Sequence, residues 1–227
     1  MESPFCPVAA IRSDADFRLI ETFGYHPGKG IDRIDLHLAR ISASAAFFGL
    51  PFDLGQAKAH LAGLGGAQVL RCRLTLSAAG ELELVTTAMP AHQPLWSFKV
   101  AAQRLVADDV FLAHKTTRRA TYDQARAQLP QGIDELLFLN ERGEICEGTI
   151  SNIVVETTVG DCLTPPQSSG CLPGVYRQSL LNAGGVKEAV LTLDDLAKAR
   201  DIRLVNSLRG EMQGIWVQDS EEFASFA

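Results

Sequence analysis

The sequence predicts an α+β fold, and three observations lead to that prediction. Hydrophobic residues recur at helical spacing in some segments and alternate as in strands in others. The two kinds of segment are mixed without the strict alternation of an α/β protein. A chain of 227 residues has material for one large or two small domains. We therefore expect a smaller domain over residues 1–105 and a larger one over 106–227, with a soft boundary near 95–110.

In the first half, turn residues separate the predicted elements. Gly28 and Gly30 mark the turn after the first strand, Gly49 and Pro51 end the first helix, and Gly80 lies at the tip of a hairpin. The predicted elements lie, in order, at 17–23 (strand), 36–48 (helix), 53–62 (helix), 69–76 with 81–87 (hairpin) and 97–106 (strand).

The second half shows shorter segments that change type more often. Pro130 follows its first helix, a polar turn at 140–143 separates two strands, and Gly184 closes the next helix. The predicted elements lie at 120–129 (helix), 135–139, 144–147 and 151–156 (strands), 174–183 (helix), 186–191 (strand), 193–199 (helix) and 202–205 (strand).

Composition and charge exclude several classes of function. The formal net charge is −6 without a basic block, so we expect no nucleic-acid partner. Five cysteines without a Cys-x-x-Cys pair argue against disulfides and a zinc ribbon, and the histidines show no close ligand pair, so we expect no metal. Neither a signal peptide nor an apolar run of about 18 residues is visible. We expect a cytoplasmic protein without a membrane span.

Two ionisable residues indicate a cofactor. Lys115 stands at the end of the largely apolar run 110–114, and burial there disfavours the ammonium form and favours a nucleophilic amine. Glu147 lies between two hydrophobic strand candidates and is followed by small hydroxyl residues, an arrangement that suits a ring nitrogen and a phosphate. Together they suggest pyridoxal phosphate.

Five motifs then occur in one order. They are HLAR at 37–40, KTT at 115–117, EGTISN at 147–152, LPGVYR at 172–177 and NSLRG at 206–210. In this order they resemble the class IV aminotransferases, fold type IV of the pyridoxal-phosphate enzymes, from about residue 17 to 216. The resemblance implies a two-domain fold like that of D-amino-acid aminotransferase. It also implies a homodimer in which the neighbouring subunit completes the pocket.

The resemblance also implies roles for individual residues. Lys115 is similar to the Schiff-base lysine that moves the substrate proton, and Glu147 to the carboxylate that faces the pyridine nitrogen. Arg40 is similar to the phosphate-binding arginine. The remaining predicted phosphate ligands are the backbone amides of Val175 and Tyr176, the Ser207 hydroxyl and the Leu208 amide.

The substrate side of the site is less specific. Thr22 is similar to a strand residue that lines the pocket in the family. An ordinary strand threonine without a role in the site would show the same sequence pattern. Arg119 stands where the lyase branch of the family often has arginine, and Ala120 where many branched-chain enzymes have tyrosine. Tyr122 either approaches the cofactor or packs in a helix. Family members usually carry a longer glycine- and aspartate-rich stretch before the first strand, and this sequence does not show it. We therefore expect a wall of the pocket to be absent or to be supplied otherwise.

These features favour a lyase that converts 4-amino-4-deoxychorismate to 4-aminobenzoate and pyruvate for folate synthesis. An aminotransferase of branched-chain or D-amino acids is the alternative, with Arg118 or Arg119 as its carboxylate clamp. A third hypothesis is a catalytically silent ligand-binding relative, against which the presence of both Lys115 and Glu147 argues.

Overall fold

The structure, a computed structural model, describes residue 11 and residues 13–218 and contains two β-sheets with packed helices. The predicted α+β class is therefore confirmed. Within the described residues, none of the helices is long and apolar enough to cross a lipid bilayer.

The smaller sheet brings three pocket residues onto one face. Its strands are β1 (Arg18–His26), β2 (Gly30–Ile31), β3 (Leu70–Ser77) and β4 (Leu82–Ala88). They are antiparallel and lie in the order β2-β1-β3-β4. Thr22 of β1 is opposite Arg73 of β3. Because strand side chains alternate between faces, Arg71 shares the face of Arg73 and Thr22.

Two helices cover the other face of this sheet. They are α1 (Ile34–Phe48) and α2 (Leu54–Ala62). Apolar side chains of α1 at helical spacing, Ile41 and Phe48 among them, pack against Leu19 and Leu76 of the sheet. Gly49 ends α1 in the left-handed conformation with φ 62°. The smaller unit thus has its core between the helices and the sheet.

The larger sheet has eight strands. They are β5 (Leu95–Leu105), β6 (Glu135–Asn140), β7 (Ile145–Gly148), β8 (Asn152–Glu156), β9 (Cys162–Thr164), β10 (Lys187–Glu188), β11 (Asp201–Asn206) and β12 (Gly210–Trp216). Their order is β10-β9-β8-β11-β12-β5-β6-β7. The largest core cluster lies here and includes Phe98, Leu137, Ile153 and Leu204.

Short helices connect these strands and lead into the site. They are α3 (Ala120–Ala127), α4 (Val175–Asn182) and α5 (Leu193–Ala197), with 3₁₀ turns at Val110–Ala113 and Gln167–Ser169. Helix α3 begins just after the KTT motif, and α4 begins inside the LPGVYR motif.

Strands β2 and β9 were not predicted, and three further elements differ from their predictions. The predicted strand at 186–191 is reduced to the two residues of β10, and Val190 is 54% exposed. Strand β12 was not predicted, because its sequence GEMQGIW lacks clear alternation and its pairing comes from β11 and β5. Strand β5 pairs within the larger sheet, although residues 95–105 were assigned to the smaller domain. We therefore propose that the domain boundary lies between β4 and β5.

Candidate active site

A cavity of about 360 Å³ is lined by residues from both sheets. Eight of the nine predicted site residues line it: Thr22, Arg40, Lys115, Arg119, Glu147, Val175, Ser207 and Leu208. Tyr176, the ninth, follows Val175 in the first turn of α4. The fold thus brings together residues that are far apart in the sequence, while their individual roles stay predictions.

Lys115 is held against the smaller sheet. Its carbonyl accepts the Ile20 N–H at 2.8 Å, and the Thr117 N–H donates to the Arg18 carbonyl at 2.9 Å. The amine lies in the cavity wall, where burial lowers its pKa to about 8, with Arg40 and Arg119 adding to the shift. At neutral pH, Lys115 therefore carries a larger fraction of neutral, nucleophilic amine than an ordinary lysine.

Glu147 faces the same cavity from the end of β7 and is 6% exposed. Its Oε1 accepts the Tyr122 hydroxyl at 2.8 Å. Its Oε2 accepts the Leu172 amide at 3.1 Å and Asn152 Nδ2 at 3.3 Å. Burial raises the pKa of Glu147 to about 7, although the hydrogen bonds from Tyr122 and Leu172 favour the charged form. A buried carboxylate of this kind can bind a protonated ring nitrogen.

The turn after Glu147 is fixed by a second buried carboxylate, Glu135 of β6. Glu135 accepts the Thr149 amide at 2.9 Å and the Ser151 hydroxyl at 2.8 Å, and the Thr149 hydroxyl also bonds to it. A Cβ at Gly148 would lie 2.8 Å from the Glu135 carboxylate and 2.5 Å from the Ser151 hydroxyl. Only glycine fits there, so this close packing sets the direction in which Glu147 leaves the strand.

Arg40 belongs to a buried network centred on Glu21 of β1. Nε and Nη2 of Arg40 donate to the Glu21 carboxylate at 2.8 and 2.6 Å, and His37 Nδ1 lies 2.6 Å from it. Burial alone would raise the pKa of Glu21, but Arg40 and His37 lower it to about 2. Nη1 of Arg40 donates to the Pro173 carbonyl at 3.2 Å. These bonds fix the guanidinium group beside the start of α4.

The start of α4 is suited to an anion. Gly174 and Val175 line the cavity, and among the described residues no side chain caps this helix end. The first amides, those of Val175 and Tyr176, are therefore available to a phosphate. A Cβ at Gly174 would lie 1.8 Å from Oδ1 of Asn152, so glycine is required. The Tyr176 side chain instead donates to Glu211 at 3.2 Å.

Ser207 and Leu208 lie in the turn between β11 and β12. The Ser207 hydroxyl is 2.7 Å from His37 Nε2, which connects it to the Glu21 network. The Leu208 amide donates to Asn206 Oδ1 at 3.1 Å. The predicted contact of this amide with a phosphate therefore requires that the bond to Asn206 be shared or exchanged.

Arg119 is anchored more firmly than the sequence indicated. Its Nε donates to Asp123 at 2.7 Å, and its Nη2 donates to the Thr149 carbonyl at 3.0 Å. It therefore joins the start of α3 to the turn after Glu147 while it lines the cavity.

Sequence reasoning missed several cationic residues of the cavity. Arg71, Arg73, Arg126 and Arg209 also line it. The Arg-x-Arg spacing in β3 was a usable signal, because it places two arginines on one face of a strand. Arg209 lies within the NSLRG motif, although no role was assigned to it, whereas Arg126 gave no signal, since only the fold brings it to the cavity.

The donors around this cavity fit pyridoxal phosphate. A nucleophilic lysine, a buried carboxylate and a helix N-terminus beside an arginine match its aldehyde, ring nitrogen and phosphate, respectively.

Comparison with protein families confirms the resemblance. Residues 18–214 match the family described as amino-transferase class IV. The chain therefore belongs to the class IV aminotransferases. The cofactor of this family is pyridoxal phosphate, so the cofactor prediction is confirmed too.

Its relatives include a lyase and aminotransferases. The chain is 28% identical to the aminodeoxychorismate lyase of Saccharomyces cerevisiae over 137 residues, 52% of this chain and 36% of that protein. It is 39% identical to a provisionally assigned amino-acid aminotransferase from Mesorhizobium loti, with a TM-score of 0.84 over 89% of this chain and 100% of that one. The pyridoxal-phosphate-bound form of a hypothetical aminotransferase from Mycobacterium tuberculosis shares the fold, with TM-score 0.76, 24% identity, and coverage of 94% and 85%.

Proposed function

We propose that the protein is a pyridoxal-phosphate-dependent lyase that converts 4-amino-4-deoxychorismate to 4-aminobenzoate and pyruvate. The observation that carries this proposal is the number of guanidinium groups around the cavity. Seven arginines line it: Arg40, Arg71, Arg73, Arg118, Arg119, Arg126 and Arg209. Two acidic residues accompany them, Asp123 and Glu147. Four of these arginines are paired with carboxylates, Arg40 with Glu21, Arg118 with Asp14, Arg119 with Asp123 and Arg126 with Glu135. The positive charge of the other three, Arg71, Arg73 and Arg209, suits a substrate with two carboxylates, such as aminodeoxychorismate.

Arg71 and Arg73 are the most suitable carboxylate ligands in this set. Within the described part of the chain, neither side chain forms a hydrogen bond or an ion pair. Burial lowers the pKa of Arg73, and the neighbouring Arg71 and Arg119 add to the effect. The pKa of Arg209 is also lowered, first by burial and then by Arg126 and Arg71. Like charges held this close favour a dianionic ligand.

Each of the site residues would have a separate role. When bound, pyridoxal phosphate supplies an aldehyde that links to amines and a ring that accepts an electron pair. Lys115 would hold the cofactor and take the proton from the amine-bearing carbon of the substrate. Glu147 would keep the ring nitrogen protonated, and Arg40 with the start of α4 would bind the phosphate. The departure of pyruvate leaves an aromatic ring, which favours the reaction.

An aminotransferase is the second candidate. The relative from Mesorhizobium loti favours it, and Arg118 or Arg119 would bind the α-carboxylate. Ala120 argues against an aminotransferase of branched-chain amino acids, because many of those enzymes carry a tyrosine at this position. Ala120 is also exposed. The lyase is therefore preferred.

One experiment separates the two reactions. Purified protein is incubated with enzymatically made aminodeoxychorismate without a 2-oxo acid, and in parallel with amino acids and 2-oxoglutarate. The lyase releases 4-aminobenzoate and pyruvate in equal amounts in the first reaction. Amino transfer to 2-oxoglutarate without any aromatic product would favour the aminotransferase.

The proposed contact between Arg73 and a substrate carboxylate can be tested separately. Arg73→Ala should raise KM for aminodeoxychorismate by about tenfold or more, since a charge-assisted hydrogen bond contributes about 1.5–3 kcal/mol. Arg104→Ala is the matched control, because exposed Arg104 donates only to backbone carbonyls of its own strand. Equal KM values for the two variants would remove Arg73 from the substrate site.

A further inference from the structure

Tyr122 contributes a hydrogen bond whose purpose the proposed function does not explain. Its hydroxyl donates to Oε1 of Glu147 at 2.8 Å. The other carboxylate oxygen accepts the Leu172 amide and Asn152 Nδ2. Glu147 is therefore held from two sides. Tyr122, which contacts Oε1, belongs to α3, the helix that follows Lys115 in the chain.

The phenol ring of Tyr122 is itself held in place by packing. It meets Phe138 edge to face, with centroids 5.2 Å apart and an interplanar angle of 77°. It packs against a buried cluster that also contains Leu112 and Cys146. The Arg119 guanidinium lies 5.6 Å from the ring centroid. With the ring fixed, the hydroxyl has one direction in which to donate.

The chemistry of the pair favours a donor that keeps its proton. Burial, and then the Glu147 charge, raise the pKa of Tyr122 above its usual range, so the phenol stays protonated. A donated hydrogen bond stabilises the charged form of Glu147, which burial otherwise disfavours. The charged form is the one that a ring nitrogen requires.

We propose that Tyr122 is a positioning residue that holds the Glu147 carboxylate, charged and correctly oriented, toward the cofactor ring. The inference rests on the proposed cofactor site and applies to either reaction. It also explains how α3, which follows the Lys115 segment directly, connects the lysine to the carboxylate on β7. Through Tyr122, helix α3 would link the chain segment that follows Lys115 to Glu147, the residue proposed to face the ring nitrogen.

A double-mutant cycle tests this role. Tyr122→Phe, Glu147→Gln and the double variant are compared with wild type for kcat, KM and the absorption maximum of the bound cofactor. The substrate is the one that wild type uses, aminodeoxychorismate or an amino acid with 2-oxoglutarate. Tyr25→Phe is the matched control, since it removes a phenol hydroxyl from a residue packed in the core of the smaller unit.

The expected pattern is non-additive. Tyr122→Phe alone should lower kcat about tenfold, with KM nearly unchanged and the absorption maximum shifted, while adding it to Glu147→Gln should change kcat less than about twofold. Tyr25→Phe should match wild type. Equal losses in both backgrounds would give Tyr122 a merely structural role, and no loss in wild type would also overturn the proposal.

Failure of the proposed function gives a different result. If borohydride traps no cofactor on wild-type Lys115, or if Glu147→Gln keeps full turnover, then the cofactor site itself is wrong and this inference falls with it. If both of those results are as proposed and Tyr122→Phe equals wild type, the inference alone is wrong.

Discussion

Two ionisable side chains face one cavity with pKa values displaced in opposite directions. The pKa of Lys115 is lowered to about 8, and the pKa of Glu147 is raised to about 7. Burial is the first cause for both, because it disfavours the charged forms of bases and acids alike. Near neutral pH, Lys115 can therefore exchange its proton at a small free-energy cost, as a proton-transferring residue needs. Glu147 depends on its hydrogen-bond donors, Tyr122 and the Leu172 amide, to stay charged.

Cofactor uptake by the apoprotein should follow the neutral form of the Lys115 amine. Because its pKa is about 8 instead of 10.5, the rate should rise with pH through a midpoint near 8 and then level off. Stopped-flow absorbance with pyridoxal phosphate from about pH 6.5 to about 10 measures this. A rate that still rises steeply at the upper end would show that Lys115 titrates as an ordinary lysine.

Arg40 offers a second test at the scale of one residue. Arg40→Ala should weaken the affinity for pyridoxal phosphate by about 2–3 kcal/mol, the scale of a charge-assisted hydrogen bond. The variant also leaves buried Glu21 without its arginine, so some stability should be lost as well. Pyridoxal, which lacks the phosphate, separates the two effects. If Arg40 binds the phosphate, affinity for pyridoxal stays the same, whereas an equal loss for both compounds would assign Arg40 to folding alone.

Two elements present proposed cofactor ligands because glycines allow close packing where each meets the cavity. Strand β7 ends at Gly148, beside Glu135, and Gly174, beside Asn152, directly precedes α4. Asn152 Nδ2 also donates to the Leu172 carbonyl at 2.9 Å, so it connects the turn after β7 to the loop before α4. The ring-facing and phosphate-facing parts of the site therefore share one contact.

Gly174→Ala tests this arrangement. The added Cβ must displace the buried Asn152 side chain, which breaks its bonds to Leu172 and Glu147. We expect an affinity for pyridoxal phosphate at least about tenfold weaker, because losing a buried hydrogen bond costs about 1–3 kcal/mol. Gly65→Ala is the control, since a Cβ there meets nothing within 4 Å. Equal affinities in an equilibrium titration would show that this packing does not matter.

At the scale of the whole molecule, local patterns predicted part of the fold. Helix α1 and the hairpin of β3 and β4 were predicted because their periodicity lies within one segment. Strand β12 and the membership of β5 depend on pairing between distant segments, which no local pattern contains.

The site residues also divide into those that local motifs predict and those that only the fold brings together. Lys115, Glu147, Arg209 and the glycine at 174 stand in motifs, whereas Arg126 reaches the cavity only through the fold. The homodimer expected from the family stays a prediction.

Borohydride reduction of the purified protein, followed by peptide mapping, tests the central claim most directly. The claim is that this cavity holds pyridoxal phosphate on Lys115. The purified protein should be yellow, and the phosphopyridoxyl group should be found on the peptide that contains Lys115. Lys115→Ala, as the control, should carry none there. An adduct on another lysine, or no adduct at all in the wild-type protein, would contradict the account.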